Sequence, residues 1–140
     1  MDQKFAQELA DVINTREFDR FGTMFAPDFI NHQELAGSGL EGFKQFWGGM
    51  TTGIADLEVT LEDVIVTPDK IVARYTLRGT HSASFLGLEP TGRKIEMKTF
   101  EIWRFENDKV VEHWDSVNTL EVFQQLGLLP SNAELFGGQA

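Results

Sequence analysis

His113 and Asp115 stand two residues apart in KVVEHWDSVN, Lys109 to Asn118, where an apolar strand pattern is about to end. Side chains of a strand alternate between faces, so the imidazole and the carboxylate point the same way and Trp114 points the other. Facing a cavity, such a pair does acid/base chemistry. The carboxylate accepts a proton, and the imidazole orients it or donates to a developing oxyanion. On an open surface, Asp115 would only hydrogen-bond the turn DSVN, and His113 would pack against backbone. Other groups with chemical potential are scattered along the chain. Tyr75 is the only tyrosine and could donate to a carbonyl oxygen or be a core residue with its hydroxyl satisfied. His81 could reach a pocket or hydrogen-bond the loop that begins at Ser82. Asn31 and His32 are adjacent, so one faces in and the other out. The three histidines fall in separate segments without H-x-H or H-x-x-x-H spacing, and there is no cysteine. No metal site is expected. GSGLEG does not follow a long strand, and EPTGRK lacks the phosphate-loop pattern, so no nucleotide or other cofactor is expected.

Two kinds of element must hold these residues. The first part of the chain reads as helical. Phe5, Leu9, Val12 and Ile13 recur at helical spacing, and so do Phe18, Phe21 and Phe25, ended by Pro27. A third helix is predicted from Ser38, with Glu41 completing a capping box and Phe43, Phe46, Trp47 and Met50 as its apolar stripe. A short strand, Phe29 to His32, lies between. The rest reads as strand. DLEVTLEDVIV, KIVARYTLRGTH, KIEMKTFEIWRFE and the segment carrying His113 alternate, with a two-residue hairpin turn at Asn107–Asp108. Asn118 and Glu121 form a second capping box before TLEVFQQL, which Gly127 stops. Residues 129–140 are a tail.

Helices first and strands after them predict an α+β fold, with helices on one face of an antiparallel sheet. Long strands twist and curl, so the sheet is expected to form a cone closed by the N-terminal helices, with a pocket inside. Inward parity is assigned to Ile71, Ala73, Tyr75, Leu77 and His81. On the next strand it goes to Met97, Thr99, Glu101, Trp103 and Phe105, the less charged of the two faces. Glu101 and Asp115 then become candidates for a carboxylate pair sharing one proton across neighbouring strands. Trp103 and Tyr75 become candidates for the ligand wall.

The chain has 140 residues, enough for one domain, 1–140, with an ordinary core. It is 41% apolar and 24% charged, which favours folding over disorder. A formal net charge of −10 argues against nucleic acid and anionic membrane surfaces as partners. MDQKFAQELADV lacks a basic-then-apolar leader pattern, and no run of about 20 apolar residues occurs. A cytoplasmic protein is expected.

FAPDFINHQ, GLEGFKQFW, YTLRGTHSASFLGLEPTGRKIE, FEIWRFENDKVVEHWD and FQQLGLLP together resemble the SnoaL-like polyketide cyclase family, from about Phe18 to Pro130. The resemblance implies the cone-shaped fold of nuclear transport factor two and ketosteroid isomerase. It implies closure of a ring by an intramolecular aldol reaction without metal or cofactor. It places the family's acid/base aspartate on Asp115 and its pocket asparagine on Asn31. A pocket histidine of the family falls on Glu101, so here an acid replaces an imidazole. The fold also hosts isomerases, dehydratases, hydrolases and pure binders. The expected function is therefore general acid/base chemistry on a hydrophobic, carbonyl-bearing small molecule, with a non-catalytic binding domain as the alternative. Catalysis is assigned to Asp115 and His113, and ligand contact to Asn31, Tyr75, His81, Glu101 and Trp103. Outward-facing Phe100, Ile102 and Trp114 predict a homo-oligomer, a dimer through the sheet.

Overall fold

The computed structural model describes residues 2–33 and 35–137. Helix α1, Lys4–Thr15, buries Phe5, Leu9, Val12 and Ile13, the stripe its sequence spacing dictates. Arg16 ends it in the left-handed region, φ 64°. Its guanidinium donates to Ile13 O at 2.8 Å and to Ala55 O and Leu57 O at 2.9 and 3.0 Å, tying the helix to the start of the sheet.

The second predicted helix is corrected. Phe18–Thr23 is a short 3₁₀ segment, and Phe25 already begins strand β1, Phe25–Asn31. Phenylalanines three apart satisfy a 3₁₀ turn as well as an α-helix. Pro27 is tolerated inside β1 because β1 is the sheet's edge strand. Helix α2, Gly39–Gly53, follows. Its predicted capping box does not form, since Ser38 makes no side-chain cap and Glu41 lies 3.7 Å from Lys44 instead.

Strands β2 (Glu58–Val66), β3 (Lys70–Thr80), β4 (Lys94–Glu106) and β5 (Lys109–Val117) form an antiparallel meander. The sheet order is β1-β5-β4-β3-β2, curled and unclosed. β1 pairs with β5 in parallel, which departs from the all-antiparallel expectation. No hairpin links these two strands, so none imposes the antiparallel sense. The assigned parity holds on β3 and β4: Ile71, Ala73, Tyr75, Leu77, Thr99, Glu101, Trp103 and Phe105 are buried, while Phe100 is 59% and Ile102 36% exposed on the outer face.

Asn107 and Asp108 turn β4 into β5 with φ of 51° and 62°, as a tight hairpin turn requires. Just beyond, Phe105 faces Val110 and Arg104 faces Glu112, leaving Val111 as an extra residue. This bulge resets the alternation, so Val110 and His113 are both buried. Helix α3, Thr119–Gln125, ends at Gly127, φ 78°. Its predicted capping box is also replaced. Asn118 Oδ1 accepts the Lys98 N–H at 2.8 Å and Nδ2 donates to Glu121, pinning α3 to β4. A final turn, α4, spans Asn132–Leu135. In the core, Phe5 packs on Phe25, Trp103 and Phe105 with ring centroids 6.1, 5.1 and 4.9 Å apart. No helix among the described residues is long and apolar enough to cross a membrane.

Candidate active site

The site is built where the end of β1 lies against β4 and β5. Glu101 faces Asp115 across β4–β5, and Trp103 faces His113. Asn31 faces His113 across β1–β5. Antiparallel partners on one face place their Cβ atoms about 5 Å apart, so two acids opposite each other repel unless something shares their charge. His113 does so. Its Nε2 lies 2.7 Å from Glu101 Oε2, with His113 3% and Glu101 8% exposed.

The hydrogen bonds fix where the protons are. The Gln33 backbone N–H donates to Asn31 Oδ1 at 3.0 Å, which identifies that atom as the amide oxygen. Asn31 Oδ1 lies 2.8 Å from His113 Nδ1, so Nδ1 carries a proton and donates. A single further proton then lies between Nε2 and Glu101, on one atom or the other. Burial pushes the Glu101 carboxyl above its ordinary range, the bond to His113 opposes that, and the charge of Asp115 adds to the rise. Below the imidazole lies Trp103, stacked at 5.6 Å and 12°, and Phe43 meets its edge at 6.1 Å.

Asp115 occupies a different place. It is half-buried and lines a cavity of about 410 Å³, a size suited to a drug-sized ligand. Met50, Met97, Val117, Val122 and Phe123 supply apolar walls, with Leu35 and Leu86 from two loops. Asp115 is the only carboxylate among the described lining residues. Gln33 holds it: the Leu35 N–H donates to Gln33 Oε1 at 2.8 Å, leaving Nε2 to donate to Asp115 Oδ2 at 2.9 Å. One oxygen of Asp115 is thereby anchored while the other remains for a ligand.

Residues 3–126 match the family model described as SnoaL-like polyketide cyclase. The chain belongs to that family. It is similar to the aklanonic acid methyl ester cyclase AcmA of Streptomyces galilaeus, 26% identical over 128 residues, covering 86% of this chain and 87% of the relative. Among solved structures it resembles TsrD from Streptomyces laurentii, with a TM-score of 0.84, 26% identity, and 92% and 99% of the two chains covered. IdmH from Streptomyces antibioticus gives a TM-score of 0.77 at 28% identity, covering 89% and 96%.

Within this SnoaL-like chain the structure brings His113, Asp115, Asn31 and Glu101 together, but none of the five expected ligand contacts, Asn31, Tyr75, His81, Glu101 and Trp103, is among the described lining residues of the Asp115 cavity, and neither is His113. Tyr75 is corrected to a core residue. Its hydroxyl donates to Ala6 O of α1 at 2.7 Å, and burial, with the Glu101 charge second, raises its pKa. Trp103 is corrected to the aromatic floor beneath His113, since it is fully buried and does not line the cavity. His81 is corrected likewise. It is fully buried, and its Nδ1 meets the Thr91 hydroxyl at 3.2 Å and the Thr91 N–H at 3.3 Å. Its ring closes the 82–93 loop, which carries Phe85 and Leu86 to the cavity. Glu101 stands behind the cavity wall as the partner of His113. The His32 ring stacks on Trp114 at 5.1 Å and 7° and bonds to Glu112 at 2.9 Å, while the residue also borders the cavity.

Gln33 is the residue that sequence reasoning missed. The signal was its position two residues after Asn31, hence the same parity, at the end of a strand. Glu101, His113 and Asp115 also have ligand atoms all within 4.8 Å of one another, the spacing of a possible cation site. Both His113 nitrogens are already engaged, so a cation there would have to displace Asn31 or Glu101.

Proposed function

We propose that this chain is a cofactor-independent cyclase that closes a ring in a hydrophobic, carbonyl-bearing small molecule by an intramolecular aldol reaction. The observation that carries this reading is Asp115, the sole carboxylate among the described residues on the wall of a mostly apolar cavity, bonded by Gln33 at one oxygen and by no other described residue at the second. Its free oxygen takes the proton from the carbon next to a carbonyl. The enolate carbon then attacks a second carbonyl of the same molecule. The new alkoxide recovers the proton from Asp115, so the product is an isomer of the substrate and nothing is consumed. Asn31 acts through His113 rather than on the ligand: its Oδ1 is used twice, its Nδ2 is buried without a partner among the described residues, and it is not one of the cavity's described lining residues. The pair His113–Glu101 holds that asparagine and keeps a proton next to Asp115.

The relative's named substrate, aklanonic acid methyl ester, is the first compound to test. Turnover, or exchange of its enolisable hydrogen in deuterated water, is expected from the wild-type chain without added metal and in the presence of chelator. Asp115→Asn should fold normally and lose on the order of 10²-fold or more. Full activity in that variant would remove Asp115 from the chemistry and overturn this reading. Tight binding with no exchange would make the domain a binder. One zinc per chain, lost together with activity on chelation, would replace the cofactor-free scheme with a metal-assisted one. The exposed Phe100 and Ile102 support a homodimer through the outer face. A strictly monomeric species by light scattering at micromolar concentration would contradict it.

A further inference from the structure

A second cavity, of about 250 Å³, adjoins the one that holds Asp115. The two share Leu35, Phe46, Met50, Phe85 and Leu86 as walls, so they are chambers of one cleft. The second chamber adds Gly37, Gly42, Gln45 and Gly49. Its glycines have different reasons. A Cβ on Gly42 would sit 2.1 Å from the Gly37 carbonyl carbon, so the packing of loop on helix demands glycine there. A Cβ on Gly49 would meet nothing within 4 Å. A glycine inside a helix weakens it relative to alanine, and no packing contact at position 49 requires that sacrifice. Gly48 beside it is equally open but lines neither chamber; at position 49 the open space belongs to the second chamber. Among the described residues no charged side chain lines this chamber, and the amide of Gln45, an exposed residue at its rim, makes no hydrogen bond to them.

We propose that the second chamber receives a neutral, hydrogen-bonding side arm of the ligand, such as a hydroxylated or carboxamide-bearing chain, while the ring body lies against Asp115. This rests on the reading of the first chamber as the ring-binding cavity. The neutral character is drawn from described walls that offer no counter-ion to either charge, with a net charge of −10 that further disfavours an anion. The hydrogen-bonding character follows from Gln45, whose amide offers both a donor and an acceptor. Leu35 and Leu86, largely exposed, wall both chambers and cover the junction that the arm crosses.

Three probes test this by quenching of tryptophan fluorescence: anthraquinone, and the same ring with a hydroxypropyl or a carboxyethyl chain. The hydroxypropyl compound should bind about tenfold more tightly than the bare ring, and the carboxyethyl compound should gain nothing. Gly49→Leu fills the second chamber from a position where a Cβ fits and a helix accepts leucine. It should cut the hydroxypropyl advantage to about twofold and leave the bare ring unchanged. Gly49→Ala serves as the folding control, and Gln45→Leu should remove part of the advantage. An advantage that survives Gly49→Leu intact overturns the side-arm chamber. So does a hydroxypropyl chain that adds nothing to a bare ring that binds, and an equal gain from carboxyethyl overturns its neutrality. Failure of the bare ring alone overturns the ring-cavity reading instead, and failure of all three probes overturns both.

Discussion

Strands β4 and β5 pair charged residues on both of their faces, and the two faces follow opposite rules. On the outer face Arg104 meets Glu112 at 3.1 Å and Glu106 at 2.8 Å, opposite charges in reach of water. On the inner face Glu101 opposes Asp115, acid against acid, with Glu101 buried. The outer arrangement is what a sheet uses for solubility and register. The inner one carries a cost that packing alone would never select, and it is held only because His113, Asn31 and Gln33 divide the charge between them. Local rules that are broken inside a fold otherwise obedient to them mark the place where structure serves chemistry.

The comparison can be broken first at His113. His113→Leu leaves the buried Glu101 without its partner and should cost about 3 kcal/mol in urea unfolding. The double variant His113→Leu with Glu101→Leu should recover most of that loss. If single and double variants are equally unstable, the aromatic stack on Trp103 rather than the charge pair is responsible.

Gln33→Leu comes next. It removes the donor to Asp115 without touching the core, so kcat should fall about tenfold with KM little changed. A change in KM alone would place Gln33 in binding rather than in orienting the carboxylate.

The third test is a pH titration of stability. The folded-state pKa of Glu101 is raised, so its protonated form is favoured by the fold. That contribution is complete below the ordinary glutamate range and is lost as pH rises through the elevated value. The unfolding midpoint should therefore decline on the alkaline side of the ordinary glutamate range, and Glu101→Gln should flatten the decline. Parallel curves for both proteins would remove Glu101 from this account.

The smallest effect is expected outside. Arg104→Ala should lower the unfolding midpoint only slightly at physiological salt, because ion pairs within reach of water are screened and these are only partly buried. A large loss there would erase the contrast between the faces.

The same two faces explain what the sequence makes legible. Strand alternation has period two, and β4 concentrates its charges on one parity, so its inner face could be assigned before any coordinates. The bulge at Val111 was not readable, because one unpaired residue leaves no compositional trace. Depth was not readable either. Tyr75 and Glu101 share a face, but only the position of α1 decides that Tyr75 ends on Ala6 O while the other end of the sheet stays open to a cavity. Phe18, Phe21 and Phe25 misled because spacing by three does not separate a 3₁₀ turn from an α-helix, and the last of them belongs to a strand. Gln33 was lost because β1 ends at Asn31, and only the coordinates of the chain beyond it show that the parity continues for one more residue on that face.

The bond between Asn31 and His113 spans 82 positions of the chain. A ribosome delivers these partners about 4 to 16 s apart at typical elongation rates. During that interval β2, β3 and most of β4 can pair as each hairpin emerges, while β1 waits without the neighbour it needs. The reactive centre thus comes into existence only when the last strand is made. A nascent or truncated chain ending before His113 would own the scaffold, carry Glu101 without its proton partner, and have nothing with which to start the chemistry.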